Sequence, residues 1–240
     1  MIDIHTHILP GVDDGARDLR DTLAMAEIAV DNGITDMIAT PHFNLPRGYE
    51  NYADEEYWRV FDLARDAIAR AGIPLNLYPG MEVFTIADVP MLLRRGSLMT
   101  LNRSRYLLME FAFDGDPDYA DMMLEEVAAE GIVPVIAHIE RYYFVQDMPQ
   151  IADDWKRAGY VIQCNKGSFQ GRFGREEERL AWQLMDRHLV DVIASDTHRP
   201  YRRTPNMLDV YELLARNYPE SWLEELFTGN PGRILADKPL

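Results

Sequence analysis

Five of the six histidines lie at or just past the ends of short apolar runs, and the opening MIDIHTH holds two of them, His5 and His7. In a strand, side chains alternate faces, so these two imidazoles project from one side while Ile2 and Ile4 project from the other. Such a pair can share a metal ion. Further candidate donors follow at comparable places: His42, Glu82, Glu110, His138, Asp196 and His198, with Asp13 and Asp14 in the first loop. A catalytic zinc takes about three protein ligands and keeps an open position, so this surplus of imidazoles and carboxylates implies two or three divalent ions. Mixed His and carboxylate ligation without thiolate suits Mn, Fe or Zn. Clustered ions of this kind generate hydroxide near neutral pH and stabilise the entering and leaving oxygens of an in-line displacement. The chemistry indicated is hydrolysis of a phosphate ester.

Residues so far apart in sequence need a scaffold that gathers strand ends. Short apolar or β-branched runs at 2–7, 35–40, 75–81, 106–111, 132–137, 160–164 and 190–195 read as strands. Between them, segments such as DLRDTLAMAEIAVDNG and REEERLAWQLMDRH place apolar residues three and four apart and read as amphipathic helices. Gly33, Gly72, Gly131 and Gly159 each stand at a helix end just before the next strand, where a left-handed C-cap is expected. Repeated strand and helix units predict an α/β fold, a distorted or incompletely closed (β/α)7 barrel, one strand short of the usual eight. In a parallel barrel every strand's C-terminal end opens on one face. His5 and His7 end the first strand, His42 follows the second, Glu82 the third, Glu110 the fourth, His138 the fifth, and Asp196 and His198 the seventh. Singly, each has a plain explanation: a core histidine, a carboxylate paired with arginine, or, for Asp13 and Asp14, a turn or helix cap. Their joint arrangement favours the metal site. His188, in MDRH, reads instead as a residue near a helix C-terminus.

The 240 residues suffice for one domain spanning 1–240, and the formal charge of −16 disfavours nucleic acid and anionic lipid as partners. The first residues lead straight into a strand with no leader pattern. No apolar run reaches the ~18 residues of a membrane span, so no membrane insertion and a cytoplasmic location are expected. The single cysteine, Cys164, fits a reducing compartment. It would need an arginine six residues on to cradle phosphate as a nucleophile; Gln170 stands there, and a structural thiol is expected.

MIDIHTHILPGVDDGA, TPHF, GMEV, LLMEF, VIAHIERY, VIASDTH and NPGRIL, in that order, resemble the PHP-domain (polymerase and histidinol phosphatase) protein-tyrosine phosphatases of bacterial capsule and exopolysaccharide systems. The resemblance runs over nearly the whole chain. It implies a trinuclear, manganese-dependent site, with His5, His7, Glu110 and Asp196 in one cluster, Glu82, Glu110 and His138 in another, and Asp14, His42 and His198 in the third. Glu110 would bridge two ions, and Asp13 could exchange roles with Asp14. Arg141 in HIERY matches a phosphate-facing arginine, and Arg202 or Arg203 a second. The implied substrate is a phosphotyrosine protein, the tail of a bacterial tyrosine kinase controlling polysaccharide polymerisation or export. A phenol leaves with a pKa near ~10, which lessens the need for a strong general acid. Phe43, Tyr49, Tyr142, Tyr143 and Phe169 are candidates to flank the phenyl ring, or are ordinary packing. Rival readings are a histidinol-phosphate type PHP phosphatase, a TatD-like nuclease, against which the acidic chain counts, and a non-catalytic phosphotyrosine-binding regulator, against which the intact donor set counts. An amidohydrolase would commonly carry a carbamylated lysine after the fourth strand, where this chain has Glu110.

Overall fold

The apolar runs form strands as expected, and two of them are followed, after a short break, by a second strand that was not expected. The computed structural model describes residues 1–240. Its strands are β1 (Ile2–Thr6), β2 (Asp36–Ala39), β3 (His42–Asn44), β4 (Tyr49–Glu50), β5 (Asn76–Pro79), β6 (Glu82–Phe84), β7 (Tyr106–Glu110), β8 (Val133–Ile136), β9 (Val161–Asn165) and β10 (Val192–Ala194). The helices are α1 (Leu19–Asp31), α2 (Glu55–Arg70), α3 (Val89–Arg94), α4 (Pro117–Ala129), α5 (Tyr143–Asp147), α6 (Ile151–Arg157), α7 (Lys166–Phe169), α8 (Arg175–Asp186), α9 (Leu208–Leu214), α10 (Glu220–Glu224) and α11 (Asn230–Leu235).

β1, β2 and β5 make a parallel three-stranded sheet, and β10, β9, β8, β7, β6 and β3 a second parallel array with β4 added antiparallel at its edge. A bridge between Thr6 and Thr197 joins β1 back to the far end, where the His7 amide donates to the Thr197 carbonyl and the Asp196 amide to the His5 carbonyl. The result is a distorted (β/α)7 barrel whose second and third positions are each built from two consecutive strands, β2 then β3 and β5 then β6.

The expected strands 35–40 and 75–81 stand as β2 and β5, but each is followed, after a break, by a further strand that was not expected, β3 or β6, and the cause is local. Pro41 has no amide hydrogen to continue the ladder. On the neighbouring strand, a Cβ on Gly80 would lie 2.6 Å from the Ile38 side chain, so only glycine lets the chain pass. The Tyr57 hydroxyl closes the gap, donating to the Gly80 carbonyl at 2.8 Å and accepting from its amide at 2.9 Å. Past each break the chain resumes with a donor residue, His42 or Glu82, paired side by side.

Alternation also fails once in β1. Asp3 pairs with Met37 but Thr6 with Ala39, an extra residue that makes a bulge. Ile4 and His5 therefore both turn inward: Ile4 packs with Ile38, Leu108, Val135, Val161 and Val192 inside the barrel, while His5 reaches Gln163. Ile234 of α11 and Leu101 join that interior group, and a 52-residue outer core fills the space between strands and helices. The helices keep the expected amphipathic faces, and Gly33, Gly72, Gly131 and Gly159 all adopt the left-handed backbone expected of them. No helix is long and apolar enough to cross a membrane.

Candidate metal centre

The strand ends converge on one cavity of about 50 Å³, lined by Asp14, His42, Glu82, Glu110, His138, Asp196 and His198, with His5 and His7 forming its buried floor. Two of these residues sit where strands end in strained turns. His138 after β8 and Asp196 after β10 have φ of 33° and 50°, a conformation costing roughly 1–2 kcal/mol outside glycine, which the surrounding contacts must hold in place.

Three imidazoles have Nδ1 engaged by an oxygen. His5 Nδ1 lies 3.1 Å from Gln163 Oε1, His7 Nδ1 2.8 Å from Asp13 Oδ2, and His198 Nδ1 3.0 Å from the Asp196 carbonyl. Those acceptors favour the tautomer with its lone pair on Nε2, the way carboxylate and carbonyl partners orient metal-binding histidines. The Nε2 atoms of His5 and His7 stand only 3.4 Å apart. Of the other two, His138 leaves its buried Nδ1 without a hydrogen bond, while His42 Nδ1 lies 3.0 Å from Glu82 Oε2.

Glu82 lies at the middle: its oxygens are 3.2 Å from His5, 3.3 Å from His7, 3.0 Å from His42 and 3.0 Å from His138. Burial opposes its ionisation, but His5 and His42 hold its carboxyl well below the usual range. Burial, then the Glu82 charge, push neighbouring Glu110 up to about 7. Burial also takes His138 down to about 4 against the pull of Glu82. Asp196 is likewise held low, with Arg203 and His5 overcoming its burial. Two buried carboxylates that resist joint ionisation, among imidazole nitrogens crowded round one of them, make an environment that a divalent cation would relieve by displacing protons. The donors fit such ions. Three groups have donor atoms close enough to hold one: His7, Asp14, His42 and His198; His5, His7 and Asp196; and His42, Glu82 and Glu110.

This grouping departs from the one the resemblance implies. Glu82, rather than Glu110, sits within reach of four histidines, and His7 belongs to two groups. Asp13 is occupied behind the cavity by His7 and by the amides of Gly15 and His42, so Asp14 faces the interior. Arg141 and Arg203 line the cavity, whereas Arg202 is exposed outside it. Arg203 pairs with Asp196 and lies 3.2 Å from His198 Nε2. Arg141 is held between two rings, its guanidinium carbon 4.3 Å from the centroid of Phe113 and 4.6 Å from that of Phe173. Of the aromatic candidates, Phe43, Tyr142 and Phe169 are buried packing, Tyr49 stacks on His42, and Tyr143 is exposed. The sequence reading did not find Arg47, Phe113 or Phe173 at the rim. It also missed the amides of Gln163 and Asn165, which support His5 and Asp196. Arg47 carried a signal, since it lies in the loop after a donor strand; the two amides had none.

Gly15 tests how tightly this frame is set. A Cβ there would fall 2.1 Å from the His7 carbonyl and 2.4 Å from its Cβ. Gly15→Ala must therefore displace His7 or the Asp13 loop, and a shift of about 1 Å is expected to lower turnover on the order of 10²-fold. Circular dichroism and bound-metal analysis on the purified variant check this; a fully active, fully loaded variant contradicts it.

A (β/α)7 barrel with a His and carboxylate cluster at its C-terminal mouth defines a metallohydrolase type of architecture. Residues 1–236 match the family model described as "Capsular polysaccharide synthesis, CpsB/CapC", and the chain belongs to that family. It is 32% identical to the tyrosine-protein phosphatase YwqE of Bacillus subtilis, over 100% of this chain and 93% of that protein. It is 30% identical to the tyrosine-protein phosphatase CpsB of Streptococcus pneumoniae, over 99% of both. Among solved structures it superposes, with a TM-score of 0.91 and 33% identity, on a chain from the crystal structures of these two proteins, described as unique metal-dependent tyrosine phosphatases; 100% of this chain and 96% of that one are covered.

Proposed function

We propose that this chain is a divalent-metal-dependent protein-tyrosine phosphatase, acting in the cytoplasm on the phosphorylated tail of a bacterial tyrosine kinase that governs capsule or exopolysaccharide synthesis. The observation carrying this reading is the cluster of five imidazoles and four carboxylates at the barrel mouth, rimmed by Arg141 and Arg203, in a chain of the CpsB/CapC family. His5, His7, Asp14, His42, Glu82, Glu110, His138, Asp196 and His198 are the residues that would hold two or three ions; manganese follows from the resemblance, and iron or zinc suits the same donors. When bound, such ions supply Lewis acidity toward phosphoryl oxygens and lower the pKa of water.

The protein's own share is positioning and charge. Arg141 and Arg203 neutralise the equatorial oxygens of the phosphoryl group in flight, where charge is spread over three atoms. The low pKa of the phenol, ~10, lessens the dependence on a strong general acid. Cys164 takes no part: it is fully buried in the outer core, and burial with Glu140 nearby pushes its thiol well above the usual range, so almost none is thiolate.

The test is phosphate release from a phosphotyrosine peptide, histidinol phosphate and single-stranded DNA by metal-stripped protein, before and after addition of manganese, iron or zinc. Metal-restored release from the phosphotyrosine peptide, retained in Cys164→Ser, is expected; faster turnover of histidinol phosphate or DNA would overturn the assignment.

A further inference from the structure

Three cavities lie end to end on the barrel mouth. The metal-centre cavity shares Arg47, Glu110 and Phe113 with a small neighbour of about 40 Å³. That neighbour shares Phe84, Phe111 and Ala112 with a third of about 140 Å³, whose walls are completed by Thr85, Tyr119 and Phe144. The walls come from the end of β6, the segment following β7, and helices α4 and α5. Phe111 and Phe144 are 3% and 6% exposed, so this pocket is rooted in the core. Asp116, the charged residue on its rim, caps α4, its carboxylate accepting from the Asp118 amide at 2.9 Å. No cationic side chain lines it.

Resting on the phosphotyrosine reading above, we propose that this third cavity is a substrate subsite that takes an apolar side chain two residues away from the phosphotyrosine. Continuity with the metal centre places the occupant on the same substrate molecule. Residues two apart in an extended peptide point to the same side, so a side chain two positions from the phosphotyrosine faces the same surface of the barrel mouth. Size selects the class: a cavity of about 150 Å³ lined by apolar side chains admits benzene, which is the scale of a leucine or phenylalanine side chain. The absence of cationic lining disfavours an acidic occupant. Arg47 stands at the junction, on the phosphate side of the apolar stretch.

The test compares kcat/KM for metal-loaded protein on phosphotyrosine peptides carrying Leu, Phe, Ala or Asp at position −2 or +2, with p-nitrophenyl phosphate as a substrate that has no flanking residues. Leu or Phe is expected to exceed Ala by about tenfold at one of the two positions, within the range that hydrophobic pockets achieve. Ala112→Leu, which fills the neck, and Tyr119→Ala, which removes a wall on the half-exposed face of α4, are each expected to bring that ratio close to one. Two variants guard against one misfolding. Hydrolysis of p-nitrophenyl phosphate and of all the peptides with no preference, or a preference that survives both substitutions, overturns the subsite and leaves the phosphatase reading standing. Failure to hydrolyse either class overturns the phosphatase reading, and the subsite falls with it.

Discussion

Glu82→Gln is expected to remove turnover on phosphotyrosine by at least ~10³-fold while leaving the barrel folded, because no other carboxylate of the centre touches as many imidazoles. Its two oxygens lie within 3.0 to 3.3 Å of four imidazoles. Gln keeps the shape and one carbonyl oxygen but withdraws the negative charge and puts N–H groups where a cation would sit. His5 and His42, whose affinity for protons Glu82 raises, would fall back toward neutrality. The measurement is metal content per chain by mass spectrometry alongside kcat. A fall of one or more ions per chain with an unchanged circular dichroism spectrum is expected. Full metal occupancy with near-normal kcat would show that Glu82 is a structural carboxylate and that the centre is built around Glu110.

The sequence made the gathering of strand ends legible because His5, Glu110, His138 and Asp196 each follow an unmistakable apolar run, and a parallel barrel leaves no other face for them. The helices were equally legible, since a 3.6-residue period and a following glycine are local signals. What escaped depends on contacts between distant segments. Nothing in residues 75–81 announces that Gly80 must let Ile38 pass, or that Tyr57 bridges the break, so Glu82 read as a residue beyond a strand rather than the first of a new one. The bulge in β1 is set by pairing with β2 and by the bridge to Thr197, which a pattern of alternating residues cannot contain. Asp13 and Asp14 looked interchangeable; only the position of His7 and the amide of His42 distinguishes them. Arg202 and Arg203 were equally ambiguous, and the left-handed backbone at Arg203 turns the second inward while the first stays in solvent.

Arg141 should separate recognition of the phosphoryl group from assembly of the centre, and its geometry says how. The guanidinium is pressed between Phe113 and Phe173 with only 20% of the side chain exposed, and its nearest carboxylate oxygen, on Asp196, is 3.9 Å away. Stacking on both faces leaves the in-plane N–H groups free for an anion, which is the arrangement that suits bidentate contact with phosphate. A lysine cannot reproduce it, because an ammonium has no planar fork to slide between two rings. Arg141→Lys is therefore expected to resemble Arg141→Ala, each lowering kcat/KM on the order of 10²- to 10³-fold with bound metal unchanged. Arg203 touches Asp196 and His198 directly, so Arg203→Ala is expected to lower both kcat/KM and metal content. Arg202→Ala, on the exposed side of the same loop, is expected to change kcat/KM by less than about twofold, as surface substitutions away from a site usually do. Steady-state kinetics and metal analysis on all four variants decide the matter. Loss of metal in Arg141→Lys, or a large effect at Arg202 with none at Arg203, would exchange the roles assigned to these arginines.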